Sequence, residues 1–376
     1  MAGLYIHIPF CKSRCIYCGF YSTTLLEWRQ RYVDAVCHEM EINCAKPTDK
    51  PSIETVYLGG GTPSQLNEEQ LRQLFLYINK VYGMEQVKEV TLECNPDDVT
   101  EAFAKMLQKL PVNRISMGAQ TFSNERLHFL RRRHTAEQVA LAVERLRKAG
   151  IGNISIDLMY GFPNETLSDW QHDIDAALQL NVEHLSAYAL MFEEGTPLYR
   201  LLENGKVTEP DEELSLQMYT ELIDRLTVAG FEHYEISNFA KPNFRSRHNS
   251  SYWNQTPYIG LGAAAHSYDG KSRRWWNIDN VEAYMKGIED NRNVCEQELL
   301  DEATHYNEKV ITALRTCEGL DMHQLSPQQA AYCKLLAQRF IDDGLLSCQE
   351  NRLRLTRRGL FVSNMVMSEL MMVETP

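Results

Sequence analysis

Six short apolar runs alternate with amphipathic helical patterns through the first half of this 376-residue chain. The first run is rich in β-branched and aromatic residues and is ended by Pro9, which is typical of a strand. The runs span residues 4–8, 55–58, 89–93, 114–117, 153–158 and 184–190. Strands that alternate with helices form parallel β/α units with right-handed crossovers. The pattern therefore predicts an α/β fold, a partial barrel of six such units.

Two segments between the runs carry clear helix signals. The first has an apolar stripe at helical spacing, formed by Leu71, Leu74, Phe75, Ile78 and Val81. The second begins at Thr135, where Gln138 completes a capping-box pattern, and ends at Gly150. Because parallel sheets bind ligands at the carboxyl ends of their strands, we expect the site at that edge.

Composition and charge narrow the classes of function and the cellular locations that fit this chain. The contents of 44% hydrophobic and 24% charged residues are ordinary for a globular protein. A net charge of -13 argues against a nucleic-acid partner. No stretch reaches the roughly 20 apolar residues of a membrane span, and no signal peptide is recognised. Most of the ten cysteines are scattered singly, which indicates reduced thiols and a cytoplasmic location.

Three cysteines follow the first predicted strand at C-x3-C-x2-C spacing: Cys11, Cys15 and Cys18. Structural zinc takes four ligands, whereas a four-iron cluster held by three cysteines leaves one iron free to bind a further group. The aromatic residues Tyr17 and Phe20 stand beside the thiols and are expected to shield such a cluster from water. The spacing favours an iron–sulfur cluster.

Two alternatives to a cluster remain open at this point. The three thiols could form a zinc knuckle completed by Cys37, Cys94 or a histidine, or they could be disulfide partners. A zinc-stabilised binding module without a redox role would be the functional consequence of the first alternative.

Glycine and polar residues mark the carboxyl ends of the next predicted strands. A glycine triplet at residues 59–61 offers amide groups for close approach to a ligand, although it could equally form a tight loop without one. Glu93, Gln120 and Asp157 occupy the ends of the third, fourth and fifth strands. Arg132 lies in a basic run whose alternative role is a solvated surface. The recurrence of such residues at successive strand ends predicts a nucleoside-type site.

The cysteine spacing resembles the signature of the radical S-adenosylmethionine (radical SAM) superfamily. Four segments are, in addition, similar to the oxygen-independent coproporphyrinogen oxidase family of that superfamily. They are YIHIPFC at residues 5–11, GGGTP at 59–63, GAQTF at 118–122 and DLMYGFP at 157–163. The resemblance extends from Leu4 to about Leu360 and implies a partial (β/α)6 radical SAM barrel.

The resemblance implies two cofactors. A [4Fe-4S] cluster is implied on Cys11, Cys15 and Cys18, with its free iron chelating the methionine moiety of S-adenosyl-L-methionine. Contacts to that ligand are implied for Tyr5, Tyr17, Gly60, Gly61, Thr62, Glu93, Gln120, Arg132, Asp157 and Met191. Within this set the glycine loop and Glu93 are expected to hold the ammonium or ribose, and Arg132 the carboxylate. Met191 matches a backbone contact of the family but differs in residue type.

Two departures from the decarboxylating oxidases bear on activity. Those enzymes carry a fourth cysteine two residues beyond the third, where this chain has Phe20. They also have an N-terminal extension that covers the substrate cavity. This chain begins four residues before Tyr5, so we expect that lid to be absent. Radical chemistry needs a closed, dry site, so oxidase activity is in doubt and no catalytic residue is assigned.

A motif in the second half suggests a different role. The segment HNSSYW at residues 248–253 fits H-N-x-x-Y-W and resembles the haem-chaperone branch of the same family, which also has the Phe20 variant. The imidazole of His248 could ligate haem iron, and Tyr252 and Trp253 offer flat surfaces for a porphyrin. The alternative is a hydrogen-bonded core histidine with aromatic packing.

Other residues are candidates for contacts to haem. Arg245 and Arg247 precede the motif and could meet the propionates. His233, His266 and Cys295 are alternative axial ligands.

Two domains are predicted, a radical SAM core with its haem-motif extension at residues 1–275 and a smaller C-terminal domain at 276–376. Helical patterns at 281–289, 308–316 and 330–343 are followed by a strand and a capped helix start at 353–360. This order suggests a winged-helix-like domain, and the acidic balance favours docking or substrate covering over DNA binding.

The resemblance implies a haem chaperone that binds haem and delivers it to acceptor haemoproteins. The alternative is an oxygen-independent coproporphyrinogen III oxidase or another radical SAM enzyme of porphyrin biosynthesis. Flavodoxin or ferredoxin is the expected type of electron donor, and a homodimer is left open.

Overall fold

The six predicted strands all form and lie side by side in chain order as parallel neighbours. A computed structural model of the chain describes residues 2–44 and 52–373. The parallel strands are β1 (Ala2–Ile8), β2 (Ile53–Gly60), β3 (Glu89–Cys94), β4 (Arg114–Gln120), β5 (Asn153–Tyr160) and β6 (His184–Ala189). The α/β class and the partial barrel are confirmed.

Six further strands extend this sheet beyond both ends of the parallel set. They are β7 (Glu232–Glu235), β8 (Asn238–Ala240), β9 (Tyr258–Leu261), β10 (His266–Tyr268), β11 (Arg273–Asn277) and β12 (Cys295–Leu299). The complete order is β12-β11-β10-β9-β1-β2-β3-β4-β5-β6-β8-β7. β9 runs parallel to β1, and β10, β11 and β12 follow as antiparallel neighbours. The sequence did not predict these strands because runs of three to five residues carry little periodicity.

Helices connect the strands and cover one face of the sheet. They are α1 (Arg29–Cys44), α2 (Glu68–Tyr82), α3 (Glu101–Leu107), α4 (Asn124–Phe129), α5 (Ala136–Lys148), α6 (Leu167–Gln179), α7 (Pro197–Glu203), α8 (Glu212–Val228), α9 (Arg247–Trp253) and α10 (Val281–Glu289). The predicted apolar stripe of α2 is buried, and the capping box of Thr135 and Gln138 begins α5. No helix in the described ranges is long and apolar enough to cross a membrane.

Alternation along β1 separates a helix-covered face from a barrel interior. Leu4, Ile6 and Ile8 are completely buried in the main core with side chains of α1. Tyr5 and His7 point to the other face, where their side chains hydrogen-bond to each other at 3.1 Å. Polar side chains on the interior faces of neighbouring strands therefore converge inside the barrel.

The C-terminal region has a second, separate core. It contains α11 (Glu302–Leu314), α12 (Pro327–Asp342), α13 (Arg357–Phe361), α14 (Ser363–Glu369) and the strands β13 (Leu320–Asp321), β14 (Leu346–Gln349) and β15 (Arg352–Leu355). The three strands form an antiparallel sheet in the order β13-β15-β14 beside the two longer helices, a winged-helix-like arrangement.

The boundary after residue 275 stays a prediction, and the packing favours a later one. Val281 and Tyr284 of α10 belong to the main core, and β12 pairs with β11 in the main sheet. We propose that the first domain extends to about residue 300, where these contacts end.

Candidate cofactor site

A cavity of about 660 Å³ opens at the carboxyl edge of the parallel strands. Most of the residues predicted to bind the cluster and S-adenosylmethionine line it: Cys11, Cys15, Tyr17, Cys18, Gly60, Gly61, Thr62, Glu93, Gln120, Arg132, Asp157 and Met191. Tyr5 lies below the cavity, in the barrel interior beside His7. The fold thus brings together residues that are up to 180 positions apart in the chain.

The cysteine loop is fixed at its base and near its tip. The backbone N–H of Cys11 donates to Thr23 O at 2.9 Å, and that of Thr23 donates to Pro9 O at 2.7 Å. Near the tip, Ile16 is buried and exchanges backbone hydrogen bonds with Leu130 and Leu198. These anchors leave the three thiols half-buried along one wall of the cavity.

Two polar groups face the thiols. Thr62 Oγ1 lies 3.4 Å from Cys11 Sγ, and Arg132 Nη1 donates to Cys15 Sγ at 3.7 Å. Burial raises the pKa of the Cys11 and Cys18 thiols, so a cation at the site is needed to hold them as thiolates. The irons of a cluster would supply that positive charge, and the Arg132 guanidinium lies beside Cys15.

Of the two cysteines named as the fourth ligand of a zinc knuckle, the geometry favours only one. Cys94 lines the cavity, whereas Cys37 lies on α1 and its side chain is buried in the main core. In residues 2–44 and 52–373, no three His, Cys, Asp or Glu side chains are arranged to hold a single metal ion. The nine cysteines whose side chains are described are all free thiols, which argues against the disulfide alternative.

Phe20 does not shield the thiols as expected. Its side chain is 72% exposed, because it follows Gly19 at the outer rim of the loop. Met191 stands at the same rim and is 62% exposed. Of the two predicted aromatic neighbours, only Tyr17 is partly buried.

The glycine loop fits tightly between two strand ends. Gly60 has φ +106°, and an added Cβ there would lie 2.5 Å from the His7 ring. An added Cβ at Gly61 would lie 2.7 Å from the carbonyl carbon of Pro9. Both distances are too short for any side chain. Glycine is therefore required at both positions by close packing against β1 and the residues that follow it.

Two half-buried carboxyl groups, those of Glu93 and Asp157, line the cavity. Tyr57 OH donates to Glu93 Oε1 at 2.6 Å and Gly60 N to Glu93 Oε2 at 3.1 Å. Burial raises the pKa of Glu93 to about 7 and that of Asp157 to about 6. A bound ammonium or hydroxyl group would compensate this desolvation.

Hydrogen bonds hold Arg132 in place at the wall of the cavity. Its Nη2 donates to Asn95 Oδ1 at 2.7 Å and to Gly118 O at 2.6 Å, which fixes the guanidinium against β4. Its Nε is buried and has no hydrogen-bond partner among the described residues. The predicted surface alternative for Arg132 is not supported, because the side chain lines the cavity.

A further residue braces the site and was not predicted from the sequence. Asp98 is buried just after β3, and its carboxylate accepts hydrogen bonds from three segments around the cavity. Lys12 Nζ of the cysteine loop donates to Oδ1 at 2.9 Å, and Ser64 Oγ after the glycine loop donates to Oδ2 at 2.8 Å. Arg133 Nη2 lies 3.3 Å from Oδ1. Asp98 therefore fixes the cysteine and glycine loops relative to each other.

Asp98→Asn is expected to loosen these loops because an amide cannot replace the charge-assisted bonds to Lys12 and Arg133. We expect the free energy of unfolding of the apo-protein to fall by about 1–3 kcal/mol. Denaturant titration measures this change, with Asp290→Asn as the control because Asp290 pairs with Arg292 at the surface. An unchanged midpoint would show that the carboxylate does not brace the loops.

The H-N-x-x-Y-W segment lies at the opposite end of the barrel. It forms α9, which crosses the amino edge of the strands: Glu89, at the start of β3, accepts the backbone N–H groups of Arg247 and His248 at 2.9 Å. Gly3, at the start of β1, lies against the His248 ring. The predicted haem motif and the cavity therefore lie at opposite ends of the barrel. The barrel interior connects them, because the His248 ring lies 6.4 Å from that of Tyr5 and 5.0 Å from that of Tyr57.

His248 is 1% exposed, and both of its ring nitrogens are in use. Nδ1 hydrogen-bonds with Thr55 Oγ1 at 2.8 Å and Nε2 with Tyr252 OH at 2.8 Å. Burial lowers the pKa of His248 to about 3, which keeps the ring neutral. In this conformation neither nitrogen can reach an iron. The geometry favours the core-histidine alternative, and haem ligation by His248 stays a prediction.

The other residues considered for haem differ in accessibility. Trp253 packs under Arg315, 5.0 Å from the ring centroid, and Arg245 is paired with Glu232 and Glu318. The ring of His233 stacks on Phe239 at 4.3 Å. His266 is exposed on β10. Cys295 is half-buried at the start of β12, and Arg247 begins α9.

The residues at the carboxyl edge fit a cluster and a nucleoside ligand. The three thiols and the glycine loop line the cavity, and so does Arg132, whose buried Nε has no hydrogen-bond partner among the described residues. Such a donor set matches the cysteine ligation of iron–sulfur clusters.

Comparisons with known proteins identify the family. The family model of the radical SAM superfamily matches residues 5–177, and the family model of the HemN C-terminal domain matches residues 300–362. The heme chaperone HemW of Bacillus subtilis is 35% identical over 379 residues, covering 97% of this chain and 98% of the relative. The chain belongs to the HemW family of the radical SAM superfamily. HemW of Lactococcus lactis is 33% identical over 98% of this chain and 97% of the relative.

One solved structure agrees with the HemW-family fold over nearly the whole chain. Coproporphyrinogen III oxidase (HemN) of Escherichia coli, a radical SAM enzyme, superimposes with a TM-score of 0.84. The match covers 98% of this chain and 89% of the enzyme at 22% sequence identity. At this identity the likeness establishes the fold alone.

Proposed function

We propose that this chain is a haem chaperone that binds a [4Fe-4S] cluster, S-adenosylmethionine and haem and delivers haem to acceptor haemoproteins in the cytoplasm. The observation that carries the proposal is the near full-length similarity to heme chaperones of the HemW family. The cavity with its three thiols supports the cluster and S-adenosylmethionine part independently.

Cys11, Cys15 and Cys18 would hold the cluster, which supplies one electron-transfer centre and one open iron position when bound. Arg132 would pair with the carboxylate of S-adenosylmethionine, and Glu93 with its ammonium or ribose. Gly60 and Gly61 would lie beside the ligand, since both line the cavity. Flavodoxin or ferredoxin as electron donor and a homodimer remain predictions.

Haem titration of the anaerobically reconstituted protein, followed by transfer to an apo-haemoprotein, tests the proposal. We expect a saturable Soret band and its movement to the acceptor faster than from free haem. An absence of haem binding, or binding with no transfer, would contradict the chaperone function. Bovine serum albumin loaded with haem serves as the non-specific donor control.

An oxygen-independent coproporphyrinogen III oxidase is the second candidate. The four segments that resemble the oxygen-independent coproporphyrinogen oxidase family favour it, whereas Phe20 in place of the fourth cysteine does not. Anaerobic turnover of coproporphyrinogen III with S-adenosylmethionine and a reductant would establish the enzyme and demote the chaperone.

A further inference from the structure

Two large apolar side chains are exposed at the mouth of the cavity. Phe20 lies two residues beyond Cys18, and Met191 follows the sixth parallel strand. Both line the cavity, and both are mostly exposed. A single exposed apolar residue is ordinary, but two at one rim with charged residues around them are typical of a surface that binds another protein.

The exposed charges at this mouth are mainly basic. Of the described charged residues that line the cavity, the exposed ones are Lys12, Arg14, Arg131 and Arg133 on the basic side and Glu193 on the acidic side. This balance is opposite in sign to that of the whole chain, whose net charge is -13. A local reversal of charge attracts a partner of the opposite sign, so the mouth favours an acidic one.

Two of these four basic residues have their charge free for a partner. Lys12 and Arg133 both pair with Asp98, at 2.9 and 3.3 Å. Arg14 and Arg131, by contrast, form no ion pair and no side-chain hydrogen bond with any residue in the ranges 2–44 and 52–373. Binding a carboxylate from another protein would therefore break no existing interaction of either guanidinium.

The two unpaired arginines lie on neighbouring segments beside the predicted cluster ligands. Arg14 directly precedes Cys15 in the cysteine loop. That loop is joined to the segment that carries Arg131, because the Ile16 N–H donates to Leu130 O at 3.3 Å. A protein docked on both arginines would therefore be held against the part of the cavity that the thiols line.

Arg131 has a backbone conformation that favours glycine. Its φ is +59°, just after α4, where its N–H donates to His128 O at 3.0 Å and that of Arg132 donates to Leu127 O at 2.8 Å. Glycine is the usual residue in this type of helix ending, because it has no Cβ to strain. An arginine that is kept there indicates that its side chain serves a purpose other than folding stability.

The place of this surface in the fold indicates which partner fits. It lies over the cysteine loop at the carboxyl edge, whereas the predicted haem motif lies at the amino edge of the strands. A protein docked here would face the cluster and not the haem motif. Redox partners form small, transient contacts, and an apolar centre with a charged rim is sufficient for them.

Resting on the cluster proposed above, we propose that this surface docks an acidic one-electron carrier protein, one that holds a flavin or an iron–sulfur centre. Arg14 and Arg131 bind carboxylates of the carrier, and Phe20 and Met191 contact its apolar centre. One electron passes from the reduced carrier to the oxidised cluster. The carrier is thereby oxidised and the cluster reduced by one electron, and no bond is formed or broken.

Stopped-flow reduction of the cluster-loaded full-length protein tests the surface, with reduced flavodoxin and a reduced acidic ferredoxin as the two carriers. Photoreduced 5-deazariboflavin, which is small and uncharged, is the control reductant. We expect Arg14→Glu and Arg131→Glu each to lower the second-order rate constant with a carrier at least about tenfold at low ionic strength, and to leave the rate with deazariboflavin unchanged. Added salt should slow the wild type more than either variant. Lys334→Glu, which reverses an exposed charge on α12, is the matched control and should behave as wild type.

Two further variants separate docking from stability. Arg131→Gly removes the charge but suits the left-handed backbone. The apo-protein should therefore unfold at the wild-type temperature or above it, while reduction by the carrier slows. Phe20→Ser should weaken the complex with the carrier and keep the wild-type dependence on ionic strength, since it removes apolar contact and no charge.

The outcomes separate this inference from the proposed function. Carrier rates of Arg14→Glu and Arg131→Glu that equal the wild-type rate would overturn the docking surface and leave the chaperone proposal standing. Slower haem transfer to the acceptor in these variants, with unchanged reduction, would also overturn it and assign the surface to the acceptor haemoprotein. Equal losses with the carrier and with deazariboflavin would show damage to the cluster and not to docking. If the wild-type chain takes up no cluster, the docking surface and the cluster part of the proposed function are both overturned.

Discussion

Cys15→Ala is expected to abolish the iron–sulfur cluster while leaving the fold of the apo-protein unchanged. Two thiols cannot hold a four-iron cluster at three corners, so iron should fall to background after reconstitution. The main core lies under the sheet and does not include Cys15, so its packing is not disturbed. Iron and sulfide analysis measures the loss.

Thermal unfolding separates loss of the cluster from loss of the fold. Apo wild type and apo Cys15→Ala are expected to unfold at the same temperature, and only the wild type should gain stability on reconstitution. Cys348→Ala, which removes an exposed thiol of β14, is the matched control and should retain the cluster. A cluster that persists without Cys15 would contradict the assignment of the ligands.

Glu93→Gln is expected to weaken S-adenosylmethionine binding to the cluster-loaded protein about 10- to 100-fold. This factor corresponds to the loss of one charge-assisted hydrogen bond, which contributes about 1.5–3 kcal/mol. The reason is that the carboxylate in the cavity, held by Tyr57 and Gly60, is expected to face the ammonium or ribose of the ligand. Equilibrium binding measures the change.

The pH dependence of this affinity follows from the raised pKa of Glu93. The cationic ligand binds the ionised carboxylate. Its affinity is therefore highest above the pKa that Glu93 has in the ligand-free protein, and it falls as the pH drops through that pKa. Wild-type affinity is therefore expected to fall as pH decreases through about 7, with a second step near 6 from Asp157. Glu93→Gln should remove the upper step only.

Glu165→Gln is the matched control for this prediction. Burial raises the pKa of Glu165 to about 7 as well, but its carboxylate accepts the N–H groups of Gly161 and Phe162 outside the cavity. The upper step should persist in that variant. A pH profile of Glu93→Gln identical to wild type would show that Glu93 does not meet the ligand's charge.

The partial barrel and the cofactor site at its carboxyl edge could be predicted because they depend on local sequence patterns. Strand runs, the capping box at Thr135 and the glycine triplet depend on neighbouring residues, and parallel strands bring their carboxyl ends to one edge. Glu93, Gln120 and Asp157 could be placed in one cavity on that rule alone.

The remaining features depend on contacts between distant segments. Asp98 gains its role from Lys12 and Ser64, which the sequence places 86 and 34 residues away. His248 is enclosed because α9 crosses the amino edge of the strands, and no local pattern predicts that crossing. His266 and Trp276 meet only because two short strands pair.

Electron paramagnetic resonance of the reconstituted, reduced wild-type protein, with and without S-adenosylmethionine, tests most directly whether the three cysteines hold a cluster with an open iron. We expect iron and sulfide analysis to give about four of each per chain. We also expect the spectrum to change when S-adenosylmethionine is added. Zinc in place of iron, or a four-iron spectrum that S-adenosylmethionine leaves unchanged, would contradict the assignment.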